Sequence, residues 1–261
     1  MKLKELLQQL QDVQNKIGTS TAYICGGTAR DKYIGDLKKI SDIDITTGEK
    51  DIAYLSEEFA KVLNKKYNII RKVMEDGHSS IFIGNLKVDF SSNFILPNID
   101  IILNRTGISK STNMQKELFS RDFTCNSLLL SIDLKNLIDP TNKGFKDIDA
   151  KIIKTCLSPE ITLISNKNRV IRSIYLASKL DFDIDKSIID FVIKHPDSIK
   201  IGSEKSLIEK LNEAFVYDAD KTNYLLTKMN LWSYIPITEK IYPYYMKYVK
   251  KTIKPSDITN V

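Results

Sequence analysis

Along the first part of the chain, apolar and polar residues alternate with two different periods. Between Lys4 and Ile17, leucines recur at helical spacing among charged and amide residues, which predicts an amphipathic helix. Ala22 to Cys25 is a short apolar run, predicted as a strand, that ends in Gly26-Gly27. Thr28 is a candidate N-cap for a short helix over Ala29 to Ile34, closed by Gly35. Ile43 to Thr46 alternates as a strand, and Asp51 to Lys65 places Ile52, Leu55, Phe59 and Val62 on one helical face. Ser80 to Ile83 and Leu86 to Ser91 flank Gly84-Asn85 and read as a hairpin. Phe123 to Ile132 is strongly apolar and of helix length, so a helix is expected there.

The pattern then changes. Nine of the ten glycines lie at or before Gly144, and only Gly202 follows. Arg169 to Leu180 carries Val170, Ile174 and Ala177 on one stripe, and Ser187–Lys194, Glu204–Phe215 and Ala219–Met229 read as further helices. The expected organisation is α+β: a turn-rich mixed sheet-and-helix region over residues 1–150 and an all-α region over 151–261.

Composition narrows the setting. The chain has 261 residues, 42% apolar and 28% charged, as in ordinary globular proteins. No apolar run approaches the roughly 20 residues that span a bilayer, and the charged N-terminus is not a secretory signal. No membrane association is expected. Cys25, Cys125 and Cys156 are widely separated and odd in number, which fits a reducing, cytoplasmic compartment. A formal charge of +6 is a mild bias toward polyanions. Five lysines and four tyrosines (Tyr242, Tyr244, Tyr245, Tyr248) lie between Glu239 and Lys254. Such a segment suits RNA, or equally a solvated helix whose tyrosines pack on the body.

The chemistry concentrates in Gly26-Gly27-Thr28-Ala29-Arg30-Asp31, Gly35 and Asp42-Ile43-Asp44. A strand ending in two glycines and a helix start offers backbone N–H groups to an anion. Asp42 and Asp44, two apart on a strand, share one face. Two carboxylates beside a phosphate cradle make a candidate two-Mg²⁺ site.

The run GGTARDKYIGDLKKISDID resembles the signature of class II RNA nucleotidyltransferases, the family of tRNA CCA-adding enzymes and bacterial poly(A) polymerases. Arg121-Asp122-Phe123-Thr124-Cys125-Asn126-Ser127, then Asp139-Pro140 and Asp147-Ile148, are similar to a second family block, and Arg169-Val170-Ile171-Arg172 to a third. The resemblance covers roughly residues 20 to 215. It implies a polymerase-beta-like nucleotidyltransferase head followed by a helical neck and short body, with NTPs (ATP, and CTP) and an RNA 3′ end, tRNA among the candidates, as substrates.

By the same resemblance, Asp42 and Asp44 hold the metals and Asp89 completes a carboxylate triad; its other reading is an edge-strand aspartate facing solvent. Gly26, Gly27 and Thr28 hold the triphosphate with Arg30 nearby, unless Arg30 and Asp31 form a structural ion pair. Arg121 and Asp122, at the head of the expected apolar helix, reach the nucleotide with Asn126 one turn on; Asp122 alternatively serves only as a helix N-terminal charge. Arg169 and Arg172 read the incoming base, or are simply solvated.

The chain also departs from the family. The acidic pair before the base-reading arginine appears as Ser165-Asn166, and Asn166 can donate as well as accept, which relaxes selection of C and A. Phe94 and Ser120 stand where arginines are usual, removing positive charge. Relatives usually carry longer helical bodies and tails, so a weaker measure of the RNA is expected. Two other readings stay open: a nucleotidyltransferase acting on a small molecule or protein, and a non-catalytic RNA-binding relative.

Overall fold

The computed structural model describes residues 3–37, 40–75, 77–91, 95–196 and 204–252. Phe94, Gly202 and the end of the basic segment (Ile253, Lys254) lie outside them. The chain divides into two compact units, Met1–Ile148 and Asp149–Val261.

In chain order the first unit contains α1 (Leu3–Ile17), β1 (Tyr23–Cys25), α2 (Gly26–Ile34), β2 (Asp42–Thr46) and α3 (Ile52–Asn64). Next come β3 (Ile69–Val73), β4 (Ser79–Ile83), β5 (Leu86–Phe90), α4 (Ile99–Arg105) and α5 (Asn113–Ser120). It closes with β6 (Leu129–Ser131), β7 (Leu137–Ile138) and α6 (Gly144–Asp149). The strands form one seven-stranded sheet in the order β3-β4-β5-β2-β1-β6-β7. Only β2 and β5 pair in parallel, and every other neighbour is antiparallel.

Strand alternation gives this sheet two unlike faces. Ile24, Ile43, Ile45, Ile81, Val88 and Phe90 point one way and are buried. α1 and α3 bury Leu6, Leu7, Leu10, Ile52, Leu55, Phe59 and Leu63, and α3 packs on β3, β4 and β5. Phe59 and Phe90 meet with ring centroids 6.0 Å apart. Each such side chain contributes about 1.5–3 kcal/mol on burial, so this face holds the unit together. On β2 and β5 the other face carries the polar alternates, while on β1 and β6 it is covered by α5, where Cys25, Leu118 and Leu129 form a small buried cluster.

Two sequence expectations are corrected here. Phe123–Ile132 is not a helix: a 3₁₀ turn over Thr124–Asn126 leads into β6, which pairs with β1. A continuously apolar run fits a fully buried strand as well as a buried helix, and here the sheet claims it. The Ser127 hydroxyl helps close the turn by donating to the Phe123 carbonyl at 3.1 Å. Thr28 is not an N-cap either, because α2 already begins at Gly26 with Cys25 as its cap residue. The predicted β4–β5 hairpin and the Gly35 stop of α2 are present, Gly35 lying at φ 86°. Strand β3, with charged and half-exposed residues at the sheet edge, carried too weak a pattern to be anticipated.

The second unit contains β8 (Ile152–Ile153), α7 (Pro159–Ser165), α8 (Asn168–Leu180), β9 (Asp183–Ile184) and α9 (Lys186–Lys194). α10 (Glu204–Tyr217), α11 (Ala219–Lys228) and α12 (Tyr242–Thr252) complete it. It is helical apart from a two-stranded parallel ladder, β8–β9. α8 packs on α10 and α11 through Val170, Ile171, Ile174 and Ala177, all buried. Three of the four tyrosines of α12 are packing groups: Tyr244 stacks on Phe215 at 4.1 Å, and Tyr245 and Tyr248 lie 5.4 and 5.1 Å from Trp232, while Tyr242 is exposed. The three packed rings are therefore occupied by their own unit. Among the described residues, no helix is long and apolar enough to cross a membrane.

Candidate active site

β1 runs straight into α2, and the junction depends on Gly26. Its φ is +68°, a left-handed conformation that side chains resist. A Cβ there would also overlap Asp44 Oδ2. Glycine thus lets the Asp44 carboxylate lie against the first turn of α2, where backbone N–H groups lack helical partners. Thr28 supports this arrangement from behind, its hydroxyl donating to the Asp42 carbonyl at 3.1 Å.

Register places the remaining charges. Asp42 is paired with Lys87 and Asp44 with Asp89 along the parallel β2–β5 ladder, so all four share the polar face. Asp42 is exposed, while Asp44, Lys87 and Asp89 are half-buried. Asp89 is held on both oxygens: the Ser80 hydroxyl donates to Oδ1 at 2.5 Å, and the Lys87 ammonium pairs with Oδ2. Burial works against the Lys87 charge. The bond from Asp89 and the charges of Asp89, Asp42 and Asp44 outweigh it and raise the Lys87 pKa. Among the described residues, no group of three or more carboxylate, histidine or cysteine side chains is arranged to hold a metal. Asp89 stands beside Asp44 by register, but its side chain is committed to Lys87 and Ser80 rather than converging with Asp42 and Asp44.

Beneath Asp44 lies a buried polar cluster. Arg121, expected at the head of a helix, is instead the C-cap residue of α5, and its guanidinium turns inward. It donates to Cys25 Sγ and to Glu117 Oε1, both at 2.9 Å. Glu117 is fully buried and also accepts from the Thr46 hydroxyl. Burial, followed by the charges of Asp44 and Glu117, raises the Cys25 pKa, and Arg121 opposes that rise. Burial opposes the Arg121 charge, but the charges of Glu117 and Asp44 and the hydrogen bond to Glu117 outweigh it and raise the Arg121 pKa.

A second buried chain links the remaining candidates of this unit. Arg30, only 2% exposed, donates to Asp31 Oδ1 through Nε at 2.8 Å and to Asn126 Oδ1 at 2.7 Å. Asn126 donates in turn to Asp122 Oδ1 at 3.2 Å, and that oxygen also accepts from the Phe123 N–H. Arg30 and Asp31 form an ion pair, and Asn126 and Asp122 extend it. Gly27 sits over it, where a Cβ would lie 3.4 Å from Arg30 Nη2. Ser120 is buried, accepts from the Leu96 N–H at 3.0 Å and donates to the Lys116 carbonyl at 2.7 Å.

In the second unit, Asn166 ends α7 and accepts from the Asn168 N–H at 3.1 Å, opening α8. Arg169 reaches back to the Thr162 carbonyl and the Ser165 hydroxyl, both at 3.1 Å. Arg172 is exposed on the same side of α8 as Asn168, Tyr175 and Lys179. Lys87, Ser80 and Glu117 were not anticipated. Lys87 was within reach of sequence reasoning, since it precedes Asp89 by two on a predicted strand. Glu117 precedes Arg121 by one helical turn, but α5 itself was not foreseen.

Residues 22–154 match the family model of the poly A polymerase head domain, and the chain belongs to that family. The tRNA nucleotidyltransferase cca2 of Schizosaccharomyces pombe is 26% identical over 229 residues, 81% of this chain and 47% of that protein. The CCA-adding enzyme of Streptococcus mutans serotype c is 27% identical, covering 80% of this chain and 51% of its own length. The chain thus spans about half the length of these relatives. Among solved structures, a tRNA-processing enzyme in an apo form superposes with TM-score 0.66 at 23% identity, covering 95% of this chain and 64% of that one. The Thermotoga maritima CCA-adding enzyme complexed with tRNA has TM-score 0.67 at 18% identity, covering 87% and 50%.

Proposed function

We propose that this chain is a template-independent nucleotidyltransferase that moves a nucleoside monophosphate from an NTP onto an RNA 3′-hydroxyl. In the transfer, the 3′-oxygen forms a bond to the α-phosphorus, the α–β phosphoanhydride bond breaks and pyrophosphate leaves. The single observation that carries this reading is the placement of Asp42 and Asp44 on the open face of β2 against the first turn of α2, within a poly A polymerase head. Names of relatives, CCA-adding and A-adding enzymes of tRNA, support the acceptor.

Asp42 and Asp44 suit a divalent ion: they are hard oxygen donors two apart on one strand face, with the Cβ-free Gly26 beside them. Mg²⁺ bound there would supply charge stabilisation for the attacking oxygen and the departing pyrophosphate. The chain's own residues do the rest by positioning. The N–H groups of Gly26 and Gly27 and the start of α2 bind the triphosphate. Thr28 fixes β2 relative to that helix start. Arg30, Asp122 and Asn126 stiffen the floor beneath it, and Arg121 holds positive potential under Asp44. Asn166, Arg169 and Arg172 read the base, with ATP and CTP as the nucleotides. Cysteines buried as thiols fit a cytoplasmic setting.

Incubating the protein with Mg²⁺, each labelled NTP singly and tRNA with or without its CCA end, then resolving products by length, tests the reading. Stepwise label at the 3′ end is expected. No label on any RNA overturns it, and label on protein or a small acceptor instead would favour the other transferase reading.

A further inference from the structure

The polar face of β2 and β5 contains a cation of its own. Lys87 lies two residues before Asp89 on β5 and opposite Asp42 on β2, so register alone places its side chain among all three carboxylates. Its ammonium pairs with Asp89 Oδ2, while Ser80 from β4 holds Oδ1. The neighbouring groups of the same face do not compete for Asp89. Lys72, on β3, sits over the Phe82 ring at 5.4 Å, and Arg121 is turned to Cys25 and Glu117. Asp89 therefore has a dedicated positive partner and a dedicated hydroxyl donor, both from this chain.

We infer that Lys87 acts as a built-in counter-ion that withholds Asp89 from the metal, leaving Asp42 and Asp44 as the metal-binding carboxylates and lowering the metal affinity of the face. Three carboxylates bring three negative charges and Lys87 returns one, so the face offers a divalent ion less net attraction than the carboxylate count suggests. The ammonium must be desolvated or displaced before Asp89 can coordinate anything, and its pairing with Asp89 opposes that. Lys87 is a positioning residue in this scheme: it acts through Asp89 and touches no substrate.

The inference rests on the Asp42–Asp44 metal reading, and one set of titrations separates the two. Mn²⁺ binding to the full chain, followed by electron paramagnetic resonance without nucleotide, is compared for the wild type and variants. Lys87→Met and Lys87→Gln are expected to bind Mn²⁺ roughly tenfold more tightly, the order for removing a unit charge a few ångströms from the ion. Lys87→Arg should match the wild type. Asp89→Asn should weaken wild-type binding only by the factor of the one charge it removes, less than Asp44→Asn does, and in the Lys87→Met background it should return affinity to the wild-type value. Unchanged affinity in both uncharged variants overturns the inference, as does Asp89→Asn weakening wild-type binding as much as Asp44→Asn does. If Asp42→Asn and Asp44→Asn bind Mn²⁺ as the wild type does, the metal reading itself fails and the inference falls with it.

Discussion

On β2, Ile43 and Ile45 enter a closed apolar layer under α1 and α3, while Asp42 and Asp44, their immediate neighbours, stand on the opposite face against the start of α2. The same alternation on β5 sends Val88 and Phe90 inward and Lys87 and Asp89 outward. One face is stabilised by non-directional burial; the other is defined by which charge meets which. The strands are shared, so a one-residue change acts on fold or on chemistry according to parity alone. Close packing makes the first face intolerant of lost volume, whereas the second depends on individual charges.

Substitutions that separate the faces test this contrast. The largest effect is expected at Asp44→Asn: nucleotide transfer should fall about a thousandfold or more, several kcal/mol of lost transition-state stabilisation, with little change in thermal unfolding. On the closed face, Phe59→Ala should cost about 3–5 kcal/mol in urea unfolding through lost burial and a cavity beside Phe90. Arg121→Met tests the buried polar cluster on the Asp44 face. It strands the buried Glu117 carboxylate and should cost about 3–5 kcal/mol, most of it recovered in the double variant with Glu117→Gln. Denaturant melts showing no recovery would dissociate the pair.

Gly26→Ala comes next. Left-handed backbone costs a side-chain-bearing residue about 1–2 kcal/mol, and the added methyl must push Asp44 aside, so transfer should drop more than stability does. A crystal structure of the variant with Asp44 in place would contradict this. The smallest effect is expected at Asn166→Asp, which fixes the group as an acceptor and should sharpen preference for CTP and ATP by a modest factor; an unchanged NTP profile removes Asn166 from base choice.

Much of the open face was legible because it is written locally. Gly-Gly after an apolar run and two aspartates two apart are short-range patterns with direct geometric meaning. What failed was what the sheet decides. Phe123–Ile132 fits a buried helix or a buried strand equally well, and only pairing with β1 selects the strand. That misreading also placed Arg121 at a helix head, when it actually caps α5 and turns toward Cys25, a residue distant in sequence. Arg30 was readable as an ion pair with its neighbour Asp31, but its bond to Asn126 was not, for the same reason. The α12 tyrosines looked fit for stacking on bases, and their partners Phe215 and Trp232 could not be read from that segment alone.

The most direct test is a single reaction that follows labelled nucleotide on an RNA 3′ end and pyrophosphate release together, for the wild type and for Asp42→Ala/Asp44→Ala. Expected are equimolar incorporation and pyrophosphate from the wild type with Mg²⁺, and neither product from the double variant, whose melting curve superimposes on the wild type. Full incorporation by that folded double variant would contradict the assignment of the open β2 face as the place where transfer occurs.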